Sequence, residues 1–401
     1  MPRVDTRPHP GPKRLMLPRL IAVAASALAH ACLLAGPTHR WVVSANEGKL
    51  DLVTGTQRML PNPTPDSVTL LDFATLPPRV RHLTNIPNTV LGPPSNVAIS
   101  PDHRHVVIAN SIVPDASRAN GWRPARDIHV LDLDSEPPSV ATFAVAGLQP
   151  SGLCFSRSGR HLVAANRAAG TVSLMRFEDG RPTLLHSIEV ADPAIEVADV
   201  AVSPDDRFVV ASLTKTNQLA VLRKDGDRLS DTGRRISTYG KPYRVMFTPD
   251  GHHVLTAGAG NGNSLDTDAL TVVQRKGDHF LASGFVPLAA GPESFDISPD
   301  GRWGAAVLMN GSNTAPDNPI HTSHGLLVLF RRRGDTWSRE QVLPTGAIPE
   351  GVVFTPDGRH VVVQCHPDRQ LRLYRRIGSR LQELPDRIPV PGMPSGLGAA
   401  R

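Results

Sequence analysis

Cysteine is nearly absent. Three residues in 401, Cys32, Cys154 and Cys365, cannot make a disulfide framework, so the core has to hold itself. Metal-ligand spacings are missing as well, since nothing in the chain matches a zinc or EF-hand signature. There is no haem Cys-x-x-Cys-His motif, no tryptophan pair suited to a flat redox cofactor and no Gly-x-Ser-x-Gly elbow, which excludes an α/β-hydrolase triad. The sequence therefore calls for no cofactor and no metal. Basic residues are not massed either. Beyond Arg331-Arg332-Arg333 and Arg375-Arg376 there is no dense Lys/Arg cluster, and nucleic acid is not an expected partner.

Long apolar runs are limited to one. Leu20 to Leu34 follows Arg3, Arg7, Lys13, Arg14 and Arg19, and at 15 residues it is shorter than the ~20 that a membrane span needs. Ala29-His30-Ala31 supplies small residues at −3 and −1, so residues 1–31 read as a cleavable signal peptide with the cut before Cys32. Ala29 and the bulky His30 do not make a lipobox, which argues against a lipid anchor on Cys32. The expected location is the periplasm or the exterior, with no stable membrane span. Loss of the leader lowers the net charge from +6 to about +2.

What is present is a repeat. Gly92-Pro93-Pro94-Ser95-Asn96-Val97-Ala98-Ile99-Ser100-Pro101-Asp102 leads through a turn into Val106-Val107-Ile108-Ala109-Asn110, which is two strands joined by a tight turn. The pattern returns around Ser156, Ser203, Thr248, Ser298 and Thr355, with turns 45 to 57 residues apart. A third apolar strand follows each hairpin, at 67–73, 127–133, 171–177, 218–223, 269–275, 325–331 and 370–375. A period near ~45 residues with about four short strands and no helical pattern is that of a propeller blade.

Seven third strands stand against six complete hairpins. Pro394-Ser395-Gly396-Leu397-Gly398-Ala399 matches the missing inner strand, and Trp41–Asn46 the second strand beside it. The expected fold is therefore all-β, a single seven-bladed β-propeller over residues 32–401 in which the two ends of the chain share one blade. Closure removes the sheet edges that an open ring would expose. Val97/Ile99, Leu153/Phe155, Val200/Val202, Val245/Phe247, Phe295/Ile297 and Val352/Phe354 alternate before the turns and belong to the packing between blades.

The Ser/Thr-Pro-Asp-Gly turns, the strand endings Val107-Ile108-Ala109-Asn110 and Val163-Ala164-Ala165-Asn166, and third strands such as Thr171–Phe177 before Asp179-Gly180 carry a resemblance. Over residues 40 to 401 the chain resembles the bacterial propellers with a Tyr-Val-Thr-Asn repeat, and within them the lactonase-like family typified by 6-phosphogluconolactonase. The resemblance implies the fold and, as an activity, opening of a sugar-acid lactone. Members usually carry a His after one inner-strand Pro and an Arg-His pair after another. This chain has Ser95 and Ser151 there, and Arg244 stands one place later than the family's Arg.

In a propeller the start of each inner strand and the loop between second and third strands share one face, where function is usually grafted. The two positions after each Pro-equivalent give a polar ring that includes Asn96, Asp199, Tyr243, Arg244, Glu293 and Glu350. Arg244, Glu293 and Glu350 come from three consecutive blades and form the candidate catalytic group, with Asn96, Asp199 and Tyr243 as ligand contacts. One carboxylate could activate water while Arg244 holds an oxyanion. The plainer reading of the same charges is a solvated ion-pair network. Insertions at 47–66, 111–126, 259–268 and 310–324 should wall the channel mouth. Two readings are open: a monomeric binding scaffold that takes a small molecule or a protein at the mouth, or a lactonase-like hydrolase. His105, His161, His253 and His360 recur one per blade on the opposite face, too far apart to share a metal, and Cys154 and Cys365 are expected to be buried small apolar groups.

Overall fold

The structure, a computed structural model, describes residues 1–3, 40–258 and 266–401. The chain divides into two units, Met1–Thr38 and His39–Arg401. The signal-peptide segment and Cys32 lie outside the described residues, and the second unit carries the fold.

Seven four-stranded antiparallel sheets make up that unit, together with two short two-stranded sheets. From inside to outside, blade 3 runs Pro150–Phe155, His161–Asn166, Thr171–Glu178 and Arg181–Glu189, and blades 4 to 7 repeat it. Blade 1 is composite. Its inner strand is Met393–Ala399, followed outward by Trp41–Glu47, Ser67–Asp72 and Arg79–Thr84. The two ends of the chain pair in register from Val42 with Ala399 to Glu47 with Met393, with one bulge beside Ala45.

The repeated turn has a repeated cause. Each Ser or Thr that opens it accepts the backbone N–H five residues on: Ser100 from His105 at 2.9 Å, Ser203 from Phe208 at 2.9 Å and Thr355 from His360 at 3.0 Å. The same hydroxyl donates to the Asp two residues on, as Ser203 does to Asp205 at 2.7 Å and Thr248 to Asp250 at 2.6 Å. A side chain thus closes the turn while the backbone hands over to the second strand.

Seven apolar clusters fill the seven seams between neighbouring blades. The seam of blades 5 and 6 holds Leu255, Val272, Phe295, Ile297 and Phe330. The seam of blades 7 and 1 holds Val353, Val362, Leu373, Val42, Leu71 and Leu397, so the ring closes with the same kind of packing that builds it. The inner-strand pairs expected between blades all lie in these clusters, with Phe155 partly buried at its edge. An eighth cluster, Leu50, Val90, Leu91 and Ile112 with Leu52, Met59 and Trp122, sits under the first two insertions. These insertions form the hairpins Leu50–Asp51 with Arg58–Met59 and Ile112–Pro114 with Trp122–Pro124.

Candidate functional site

Inner strands start, and second strands end, at the same end of the propeller. The residues that can meet there come from both. Tyr243, Glu293 and Glu350 each stand one place after the Pro that opens the inner strand of blades 5, 6 and 7. All three line one cavity of about 150 Å³. Its other walls are Leu52, Gly55 and Gln57 from the first insertion, Val90, Met309, Asn313 and Ile348. A methyl group at Gly55 would stand 2.6 Å from the carbonyl oxygen of Asn313, so two insertions touch beside the cavity.

Two carboxylic acids share this space. Burial is the main reason the Glu293 pKa rises to about 8, with Arg167 acting against the rise. Burial also pushes Glu350 well above the usual carboxylate range, and the negative charges of Glu293 and Glu47 push it further. Glu350 is 1% exposed, and among the described residues its Oε1 has no hydrogen-bond partner. An unpaired buried acceptor at a cavity wall is expensive for the fold. Pairs of this kind, pushed apart by their surroundings, are how one site offers both an acid and a base near neutrality.

The cation of this group is Arg167, which lies outside the inner-strand ring. It follows directly on Asn166, the last residue of a second strand. Arg167 Nη1 donates to the Tyr243 hydroxyl at 3.4 Å, its guanidinium lies 5.8 Å from the Tyr243 ring centre, and Nη2 donates to Glu196 Oε2. Lys215 Nζ reaches Glu196 Oε1 at 2.7 Å. Burial would raise the Glu196 pKa, but Arg167 and Lys215 outweigh it and hold the group ionised. Outside the cavity lining, Lys49 Nζ lies 2.5 Å from Asp66 Oδ2 and 3.1 Å from Glu47 Oε1. Glu47 Oε2 accepts the N–H of Val90 at 2.5 Å, which fixes a cavity wall. Burial takes the Glu47 pKa to about 7 despite Lys49.

The structure separates Arg244 from the two glutamates with which the sequence groups it. Arg244 does not line the cavity. It faces the buried carboxylate of Asp296 at 4.0 Å, and its charge bears on Asp199. The reason is local: the inner strand is irregular between Pro242 and Val245, and Tyr243 and Arg244, being neighbours, face different ways. Asp199 and Asn96 are both buried, and Asp199 ties blades together. Asp199 accepts from Ser95 at 2.8 Å and from the Val245 N–H at 2.9 Å, and burial raises its pKa to about 6 against the pull of Arg244. Asn96 donates to the Thr89 carbonyl at 2.8 Å. A Cβ at Gly152 would collide with Asp199 Oδ1, and one at Gly396 with Asn96 Oδ1. Those two glycines are what let side chains of the next blade fill the channel.

The four recurring histidines begin second strands at the turn end, each in its own blade. Among the described residues no group of three or more His, Cys, Asp or Glu could hold a metal. Burial raises the Cys154 and Cys365 thiols to about 11, so neither is a ready nucleophile. No helix among the described residues is long and apolar enough to cross a membrane.

A family model described as "Lactonase, 7-bladed beta-propeller" matches residues 183–279. A candidate 6-phosphogluconolactonase from Bacteroides fragilis is similar in structure, with TM-score 0.67 and 16% identity over 91% of this chain and 99% of that one. The periplasmic gluconolactonase of Pseudomonas aeruginosa gives TM-score 0.64 and 18% identity over 90% and 99%. A protein of unknown function from Desulfotomaculum acetoxidans gives 0.66 and 14% over 90% and 99%. The chain is a seven-bladed β-propeller that resembles the lactonase-like family, the family match itself lying in blades 3 to 5.

Proposed function

We propose that this protein opens a cyclic ester of the sugar-acid type at the mouth cavity. The observation that carries the reading is the pair of mutually interacting carboxyls, half-buried Glu293 and buried Glu350, in one cavity beside Arg167 and Tyr243. The family match and the gluconolactonase among the similar structures favour it over a non-catalytic scaffold. In this reading the pair works with one proton. Glu293, kept nearest to ionisation by Arg167, takes a proton from water as the oxygen adds to the ester carbon. Glu350, still protonated, gives its proton to the ring oxygen as the C–O bond breaks, which leaves an open-chain hydroxy acid. Tyr243, positioned by Arg167, is placed to donate to the developing oxyanion.

Activity then needs Glu293 deprotonated. With its pKa near 8, kcat/KM for δ-gluconolactone, corrected for spontaneous opening, rises as pH passes from about 6 through about 8. A profile flat over that range speaks against Glu293 as the base. Arg167→Met, which releases Glu293 from its cation, moves the rise to higher pH.

We also propose that the protein works outside the cytoplasm, on the strength of the basic leader and the apolar run ending at Ala29-His30-Ala31. N-terminal sequencing of protein recovered from the periplasmic fraction should begin at Cys32. Full-length protein retained in the cytoplasm would overturn this.

A further inference from the structure

Among the described residues no cation lines the cavity. Its ten lining residues are Glu293, Glu350, Tyr243, Asn313, Gln57 and five apolar or glycine residues. Two described cations bonded close to lining residues are already engaged, Arg167 with Glu196 and Tyr243, and Lys49 with Asp66 and Glu47. Residues 259–265, Ala-Gly-Asn-Gly-Asn-Ser-Leu, bring no charged side chain. Two atoms at the walls, Glu350 Oε1 and Asn313 Oδ1, are buried and lack hydrogen-bond partners among the described residues. Both are oxygens, and Asn313 Oδ1 can only accept.

Phosphate esters are held by Arg forks, Lys or backbone N–H groups that replace the water they lose. A phosphate here would meet two carboxyls and, among the described residues, no lining cation, Arg167 beside the cavity being already paired with Glu196. Hydroxyl groups have the opposite fit, because each brings a donor to an unpaired oxygen. We propose that the cavity takes an uncharged polyhydroxylated ligand and rejects its phosphorylated counterpart. The inference deepens the hydrolase reading and rests on it for the word substrate, but the preference itself is one of binding.

The test compares δ-gluconolactone with the same lactone phosphorylated on its terminal carbon, using the full mature chain. kcat/KM should favour the uncharged lactone by about tenfold or more, since like charge across a desolvated contact is strongly unfavourable. Gln57→Arg places a cation on an exposed position of the cavity rim and should narrow the ratio at least about threefold. Equal or better use of the phosphorylated lactone overturns the preference and leaves the hydrolase reading standing. Opening of neither lactone overturns the hydrolase reading instead. The preference is then decided by calorimetry with glucitol and glucitol phosphate: binding of glucitol alone upholds it, and equal binding, tighter binding of the phosphate or no binding of either ends it.

Discussion

Glu350→Gln slows lactone opening by orders of magnitude and at the same time makes the propeller more stable. The catalytic part follows from the proposed role, because an amide of the same shape has no proton to give to the leaving oxygen. A positioned acid or base contributes ~10²–10⁴-fold, and kcat should fall by about that much with little change in KM. The stability part follows from linkage. A carboxyl whose pKa is higher folded than unfolded binds a proton more tightly in the native state. The stability it contributes is whole below the unfolded value near 4.5 and is lost as pH rises toward the folded value. For Glu293 that window runs from 4.5 to about 8, and for Glu350 it extends upward in the same sense. Glutamine cannot ionise and escapes the loss. At pH 8 Glu293→Gln should be stabilised by roughly 2 kcal/mol, a figure reduced from the full shift because the cavity admits water, and Glu350→Gln should be stabilised in the same direction. That corresponds to a rise in Tm of about 2–4 °C. At pH 4.5 the gain should vanish. Wild-type turnover in the variant, or a Tm lowered equally at every pH, removes Glu350 from the chemistry. Stability given up at a working site is a common pattern.

The propeller was legible because its instructions are local and repeated. A Ser or Thr, an Asp two residues on and a β-branched run say the same thing in blade after blade, and the hydroxyl that closes each turn is visible as a letter. The composite blade could also be read, since a repeat with six openings and seven third strands has one obvious completion. The site was only partly legible. Tyr243, Glu293 and Glu350 occupy a position that the repeat defines, and the structure brings them to one cavity. Arg167, Glu196, Glu47 and Lys49 belong to the second ring of residues, those at or just after the ends of second strands and just before inner ones. A reading that takes the first residue beyond each second strand would have found Glu47 and Arg167. Nothing in the letters separates Tyr243 from its neighbour Arg244, because the irregularity that turns one to the cavity and the other toward Asp296 is a property of the paired strands.

Removal of residues 393–401 leaves no folded propeller. Those residues are the whole inner strand of blade 1, and their loss strips the pairing partner from Val42 to Glu47 and takes Leu397 and Ala400, both buried, out of two seams. It also takes partners away from buried polar groups. Asn88 Oδ1 loses the Ser395 hydroxyl at 2.6 Å, Gln364 Nε2 loses the Gly396 carbonyl at 2.8 Å, and His366 Nδ1 loses the Pro394 carbonyl at 2.9 Å. Asp296, fully buried, keeps Arg244 at 4.0 Å but loses Arg401. Each buried group left unpaired costs about 1–3 kcal/mol, so together with the strand the loss is comparable to the ~5–15 kcal/mol that holds a whole domain. The truncated chain should show no cooperative thermal transition, bind dyes that report exposed apolar surface and associate through its new edge. A synthetic peptide of residues 393–401 added during refolding should restore the transition. The point variant Arg401→Ala, which keeps the strand and removes only the charge opposite Asp296, should instead melt cooperatively at a lower temperature. A truncated chain that melts like the full one would mean that the seven seams do not act as one closed ring.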